Sequence, residues 1–521
     1  MATGDYGTLV RRLGRLSGEA LSGRQIGIEK ESLRVRPDGR LALTPHPAGL
    51  GSALTHSSIT TDYSEALLEL VTPPANETWC VLQNLVDLHQ FVYEQIEDEM
   101  LWCASMPCSV SSDDDIPIAQ YGGSNVGMMK TVYRRGLGHR YGRMMQAIAG
   151  VHFNFSLGRR FWDELAQAEG ENARGSDWIS AVYLGLIRNF RRYGWLTLYL
   201  FGASPAACSS FLRGREADLE EFDGTLFGTN ATTLRMSDVG YKNKVQSSLQ
   251  IPVNNLEEYI AGLEYATATV HPPYRDIGVV VDGEYRQLNA NILQIENEYY
   301  SLIRPKRVAW SGETPSHALR RGGIEYVEVR ALDVSPFDPV GVNQQELRFL
   351  EIMLAFCALH DSPPIDAAEQ MRIDRNQLET ARHGRNPRLM LQRSRGLSPL
   401  RDWATELCEQ MIPVAELLDA QSGNADYVAA LREQMNCVQD PELTPSARVL
   451  REMRENSESF YEFALRTSTA HSDYFRQLVG ISAERRQQLS EMAEASLQRQ
   501  REIEAADSIS FEEFLARYFS Q

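Results

Sequence analysis

Four short runs in this chain alternate apolar residues with carboxylates, histidine, arginine or tyrosine, and this alternation restricts the fold more than any other feature. In Gln25–Val35, Ile26 and Ile28 point to one side of an extended strand while Glu29 and Glu31 point to the other. In Gly150–Leu157, Val151, Phe153 and Phe155 alternate with His152, Asn154 and Ser156. In Gly323–Leu332, Glu325, Val327 and Val329 alternate with Tyr326, Glu328 and Arg330. In Leu293–Tyr300, Gln294, Glu296, Glu298 and Tyr300 share a face if the run is a strand. An antiparallel sheet with one face in water also alternates in this way. Such faces usually carry Lys, Thr and Ser of mixed charge, whereas the polar positions here are mostly metal-ligand types with one Arg. The pattern predicts an α+β fold with a curved, mainly antiparallel sheet whose concave face lines an active site.

Two glutamates at i and i+2 of one strand project in the same direction about 7 Å apart. That spacing suits two neighbouring divalent cations better than one tight cage. Hard oxygen ligands with a single imidazole favour magnesium or manganese, which keep open positions for phosphate oxygens. Asp62 and Glu69, in ITTDYSEALLELVT, add a second acidic pair near a predicted strand. A glycosidase acid–base pair could be drawn from the same carboxylates, but more than four of them beside Arg330 exceed what that mechanism uses. No Walker A loop is present: in GGSNVGMMKT (Gly122 to Thr131) the Gly and Lys are misplaced by two residues. No dinucleotide fingerprint follows a strand, and no nucleophile motif supports a catalytic triad. Phosphates, if bound, would be held by metals and arginines.

The rest of the chain narrows the class. A net charge of −18 argues against coating nucleic acid, and no apolar run is long enough for a signal peptide or a membrane span. Seven scattered cysteines without a CxxC pair fit a reducing cytoplasm better than a disulfide framework. The 521 residues show no repeat and no linker, so one large catalytic domain (1–521) is expected. Residues 24–335 would form the active-site sheet with inserted helices and loops, and residues 340–521 a mainly helical part. The Gln/Arg/Glu-rich stretch from Ser482 to Ala505 reads as a solvated helix face.

Eight segments, in one order, carry a family resemblance: GIEKESLRV, GSALTHSSITTDYSEALLELVTP, AQYGGSNVGMMKTVYRRGLGHRYG, GVHFNFSL, YGWLTLYLFGASPAACSSFL, TTLRMSDVGYKNK, LQIENEYYSLIRPKR and RGGIEYVEVRALDVSPF. Together they resemble the proteobacterial-type glutamate–cysteine ligases, densely over residues 20–365 and more loosely beyond, including PELTPSARVL. The resemblance implies a glutamine-synthetase-like catalytic sheet, ATP and magnesium (or manganese), and a γ-glutamyl phosphate intermediate. It also implies glutamate and cysteine as substrates and feedback inhibition by glutathione. By position, Glu29, Glu31, Asp62, Glu69, His152 and Glu328 correspond to metal ligands, and Arg330 to the arginine that neutralises the transferring phosphoryl group. Arg235 corresponds to a residue near the glutamate site, and Tyr133, Tyr241 and Tyr300 to the cysteine pocket. Each has a plainer alternative, since a tyrosine is more often a core residue and a lone buried histidine is more often satisfied than ligating. Arg304 and Lys306 could hold phosphate or cap a loop. Two rival functions are a ligase of the same sheet acting on another amine, and a silent metal- or nucleotide-binding protein.

Overall fold

The strand predicted over Gln25–Val35 forms across those same residues and becomes the middle of a seven-stranded sheet. The computed structural model describes residues 5–110, 112–170, 175–212, 217–240, 249–310 and 312–520. The strands are β1 (Gln25–Val35), β2 (Ile59–Thr61), β3 (Leu67–Val71), β4 (Met100–Leu101), β5 (Val151–Ser156), β6 (Ile303–Lys306) and β7 (Tyr326–Leu332). They run in the order β6–β7–β5–β1–β3–β2, with β4 added to β1, and every pairing is antiparallel.

Neither face of β1 is in water. Behind the two glutamates, Ile26, Ile28, Lys30, Ser32 and Arg34 are all buried. Arg34 is held by Glu99, by Thr44 and by the carbonyls of Pro45 and Glu65. Among the described residues Lys30 has no carboxylate partner; its ammonium reaches Ser32 Oγ and lies 3.1 Å from His89 Nε2, and burial pushes it down to about 7. The concave face is roofed by helix α1 (Asn125–Tyr141), which starts at Ser124, whose hydroxyl accepts from Gly127 N, and stops at Gly142 with φ 83°. A side chain at Gly136 would come within 2.2 Å of Gln294 Oε1, so this glycine lets the roof close on the following segment.

That segment departs from the predicted strand. Leu293–Tyr300 is a bent stretch with a short 3-10 turn at Glu296–Glu298. Its own side chains capture the backbone: Gln294 N donates to Glu298 Oε2 at 2.6 Å, and Leu288 N donates to Gln294 Oε1 at 3.0 Å. Such local acceptors compete with a ladder partner, and here they win.

Helix α2 (Ser176–Tyr193) and the largely buried α3 (Gln344–Leu359) pack against each other behind the sheet. From Phe349 to Leu359 α3 is apolar on every side except for Glu351, as a helix inside a protein is, and it is also covered by α4 (Leu400–Ser422) and α5 (Asp426–Gln439). One apolar core runs through both halves, from Leu9 to Leu489. At its centre Arg24 donates to Glu351 Oε1 at 2.6 Å and to Gln421 Oε1 at 2.8 Å, while Tyr427 donates to Glu351 Oε2 at 2.9 Å. The helical part also contains a small hairpin, Met390–Arg393 with Gly396–Pro399. It ends in α6 (Ala483–Ala506) and α7 (Phe511–Phe519). The α6 stretch read as a solvated face is in part an interface: Leu489, Ala493 and Ser496 are buried, and Ser496 Oγ accepts from Ser52 N at 2.9 Å. Cys108 and Cys208 form a disulfide, with Cα atoms 5.5 Å apart, while the other five cysteines are free, so the scattered set holds one bond and no disulfide framework. Among the described residues no helix is long and apolar enough to cross a membrane.

Candidate active site

Sheet register brings four of the five predicted acidic groups and the histidine together. Glu29 faces His152 across β1–β5, Glu31 faces Glu69 across β1–β3, and Glu328 faces Asn154 across β5–β7. The His152 ring lies between the two β1 glutamates, with Nδ1 3.2 Å from Glu29 Oε2 and Nε2 3.7 Å from Glu31 Oε1. Asn154 donates to the other Glu29 oxygen at 2.8 Å. Two ligand groups result, Glu29–His152–Glu328 and Glu31–Glu69–His152, each with donor atoms within 4.8 Å of one another. Asp62 stands outside both. It lines the same cleft and acts on Glu31 and Glu69 through charge.

The charges in this cleft are unevenly compensated. Glu328 is fully buried, and although burial opposes its charge, Lys306 at 2.5 Å and Arg330 hold it well below the usual carboxylate range. Burial and the Glu328 charge push Glu29 up, yet His152 and Lys306 outweigh them and leave it below its ordinary value. Across the sheet the balance reverses. Burial, with Glu29, Asp62 and Glu31 close by, pushes Glu69 well above its ordinary value. Burial also raises Glu31; His152, Arg235 and Arg330 favour its charged form and Asp62 opposes it, but burial outweighs them. A buried carboxylate cluster of this kind is short of positive charge, and a hard divalent cation would supply it. The donor set therefore fits magnesium or manganese.

Arg330 sits at a register shift in β7 between Val329 and Leu332, and its N–H donates to Leu302 O at 2.8 Å. The alternation that faces Glu328 inward carries Arg330 to the same face, where its guanidinium lines the cleft and pairs with Glu328. Arg235 is 1% exposed and is set by two neighbours. Its guanidinium lies 3.7 Å from Asp333 and donates to Arg330 O at 3.1 Å. A Cβ at Gly150 would come within 2.1 Å of it, so only glycine leaves the hollow in which it rests. Tyr133 and Tyr300 line the cleft, both raised above the ordinary tyrosine range by burial. Tyr241 lies outside the described residues.

Several lining groups were not anticipated. Arg134, next to Tyr133 on α1, reaches the cleft with its guanidinium 4.5 Å from the centroid of Tyr121. Glu298, expected on the polar face of its segment, does line the cleft but is buried and saturated, accepting from Arg140, Tyr141 and Gln294 N. The succession of Arg134, Arg140 and Arg143 in TVYRRGLGHRYGR was the available signal. Arg304 and Lys306, left open between phosphate binding and loop capping, both belong to β6: Arg304 lines the cleft and Lys306 pairs with Glu328. The cleft has a cavity volume of about 200 Å³.

The family model for glutamate-cysteine ligase matches residues 12–380. A glutamate–cysteine ligase of Alcanivorax borkumensis is 52% identical over 509 residues, covering 96% of both chains. One of Pseudomonas paraeruginosa is 51% identical over 493 residues, covering 94% of this chain and 93% of its own. The crystal structure of a Francisella tularensis glutamate–cysteine ligase in complex with AMP superposes with a TM-score of 0.90 at 37% identity, over 95% of this chain and 97% of that one. A bifunctional glutathione synthetase of Pasteurella multocida shares the fold at a TM-score of 0.70 and 23% identity, over 90% of this chain and 55% of that one.

Proposed function

We propose the chemistry of the cleft from one premise: this chain belongs to the glutamate–cysteine ligase family. It is an ATP-dependent ligase that joins the γ-carboxylate of glutamate to the amine of cysteine, the first step of glutathione synthesis. The observation that carries the residue assignment is the pairing of a carboxylate-rich sheet face with Arg330, Arg304 and Lys306 in one cleft.

In the first step the glutamate γ-carboxylate attacks the γ-phosphoryl group of ATP, so two anions must meet. Arg330 is placed to offset that repulsion and to bind charge as it moves onto the phosphoryl oxygens. The cluster of Glu29, Glu31, Glu69, His152 and Glu328 would hold magnesium or manganese, with Asp62 within range. A divalent ion there would supply positive charge to the phosphate oxygens. Arg235, fixed by Asp333 and the Gly150 hollow, is placed to hold the glutamate substrate. In the second step the cysteine amine attacks the γ-glutamyl phosphate, the C–N bond forms, phosphate leaves and the amine gives up a proton. Tyr133 and Tyr300 would wall the acceptor side. Glutathione carries the same glutamyl and cysteinyl groups as the product, so inhibition by competition for this cleft is expected. The substrates place the enzyme in the cytoplasm, and the whole chain would act as one catalytic unit.

ADP release, with mass detection of the product, tests this. Glutamate, cysteine and ATP with magnesium should give γ-glutamylcysteine, and chelator should abolish it. 2-Aminobutyrate should replace cysteine at a cost of about 1–3 kcal/mol or less, since a small apolar pocket discriminates weakly between thiol and methyl. ADP formed with glutamate and ammonia but not with cysteine would identify a glutamine-forming enzyme instead.

A further inference from the structure

Helix α1 presents Tyr133 and Arg134 to the cleft, and its other side is covered by the far end of the chain. Met129 and Val132 pack with Leu288 and with Leu515 of α7 in a small apolar cluster separate from the main core, and Tyr133 packs against that cluster. A single ring, Tyr133, therefore faces the cleft and also rests on the packing that Leu515 closes. The start of α1 is tied to the same C-terminal segment. Asn125 N donates to Asp507 Oδ2 at 2.5 Å, Gly123 N to Glu504 Oε1 at 2.9 Å, and Asn125 Nδ2 to Ile509 O at 3.0 Å. Asp507 thus sits where a helix has free N–H groups and favours negative charge, and Glu504 holds the backbone just before the cap. The family model ends at residue 380, so these contacts come from chain that it does not cover.

We infer that α7 is a specificity-determining part of the acceptor pocket: Leu515, acting through Tyr133, sets the length of acceptor side chain that the cleft takes. This rests on the ligase reading above. Leu515 touches no substrate; it is a positioning residue. Close-packed clusters have little slack, and trimming one member leaves a hole into which its neighbours relax only in part. With Leu515 shortened, the Tyr133 ring can move back, so a short acceptor is held less well and a longer one is better accommodated.

The test compares the full-length wild type with Leu515→Ala, Leu515→Val and Leu515→Met. Steady-state constants are measured for 2-aminobutyrate and for norvaline at saturating glutamate and ATP, with the thermal midpoint of each protein. Leu515→Ala should raise KM for 2-aminobutyrate about threefold to tenfold and raise the norvaline to 2-aminobutyrate ratio of kcat/KM by a similar factor, the worth of one or two methylenes in a pocket. KM for glutamate and for ATP should stay where they are, Leu515→Val should move the ratio the same way by less, and Leu515→Met should restore it. A ratio unchanged in a folded Leu515→Ala or Leu515→Val protein overturns the inference. So does an equal rise in KM for all three substrates, the mark of a general loss of structure. If the wild type makes no γ-glutamyl product from cysteine or 2-aminobutyrate, the ligase reading fails and takes the inference with it.

Discussion

Around Arg24, one guanidinium meets one carboxylate, one phenol and one amide, and every group is answered. Around His152, four carboxylates share one imidazole, one lysine and two arginines within the same sheet, with three of those cations (Lys306, Arg330 and Arg304) gathered about Glu328. Both places are buried, and both are rich in hydrogen bonds. Burial of charge therefore does not distinguish them, but charge balance does. The Arg24 cluster is closed and ties the β1 end of the sheet to α3 and α5. The His152 cluster is balanced on the Glu328 side and left negative on the Glu69 side. A protein keeps such an imbalance where a ligand completes it, and the difference predicts opposite responses to mutation.

The largest effect is expected in the closed cluster. Glu351→Ala leaves the Arg24 charge buried without its partner and should lower unfolding free energy by about 3–5 kcal/mol, read as a shift in denaturant midpoint. Replacing both partners, Arg24→Met with Glu351→Leu, should recover most of that loss. Turnover per folded molecule should not change in either protein, and a catalytic defect in the folded double variant would erase the distinction between the clusters. The next effect is catalytic. Arg330→Lys keeps the charge but loses the planar fork that can bridge two phosphoryl oxygens. Turnover should fall by about 10²-fold, the scale for removing one preorganised donor to developing charge, with a smaller change in KM for ATP. Normal turnover with a raised ATP requirement would place Arg330 in ground-state binding.

The sheet residues were legible because strand register is written in the alternation itself. Glu29, Glu31, His152 and Glu328 needed only period two to be set on one face, and β1 matches its predicted span. Leu293–Tyr300 alternates as well, yet Glu298 and Gln294 bind local backbone N–H groups and fold the run back on itself. Alternation cannot tell a ladder partner from a side chain close in sequence. Arg134 was missed because its place in the cleft depends on how α1 lies over the sheet. Asp333 and Leu515 act through contacts with Arg235 and with the α1 cluster, about 100 and 380 residues away in the chain, and no local pattern signals them. The Gln/Arg/Glu-rich stretch after Ser482 looked solvated because Leu489 is the one large apolar residue among those it buries, Ala493 and Ser496 being small.

The smallest effect tests the open side of the comparison directly. Glu69 is raised well above its ordinary value of 4.5, first by burial and then by the charges of Glu29, Asp62 and Glu31, with Arg330 only partly opposing them. A carboxyl group raised in the folded state binds its proton more tightly there than in the unfolded chain. Its contribution to stability is therefore complete below the ordinary value and is lost as pH rises through the folded value. Glu69→Gln cannot ionise, so it escapes that loss. In chelator at pH 8 the variant should be more stable than the wild type, because it carries no buried charge there. Near pH 4.5 the two should differ little. Added magnesium should favour the wild type and close the gap, because the cation compensates the same charge that the substitution removes. Denaturant unfolding at the two pH values, with chelator and with magnesium, reads all four conditions. Equal stability at pH 8 in chelator would mean that the four carboxylates are compensated without a cation, and the contrast with the Arg24 cluster would disappear.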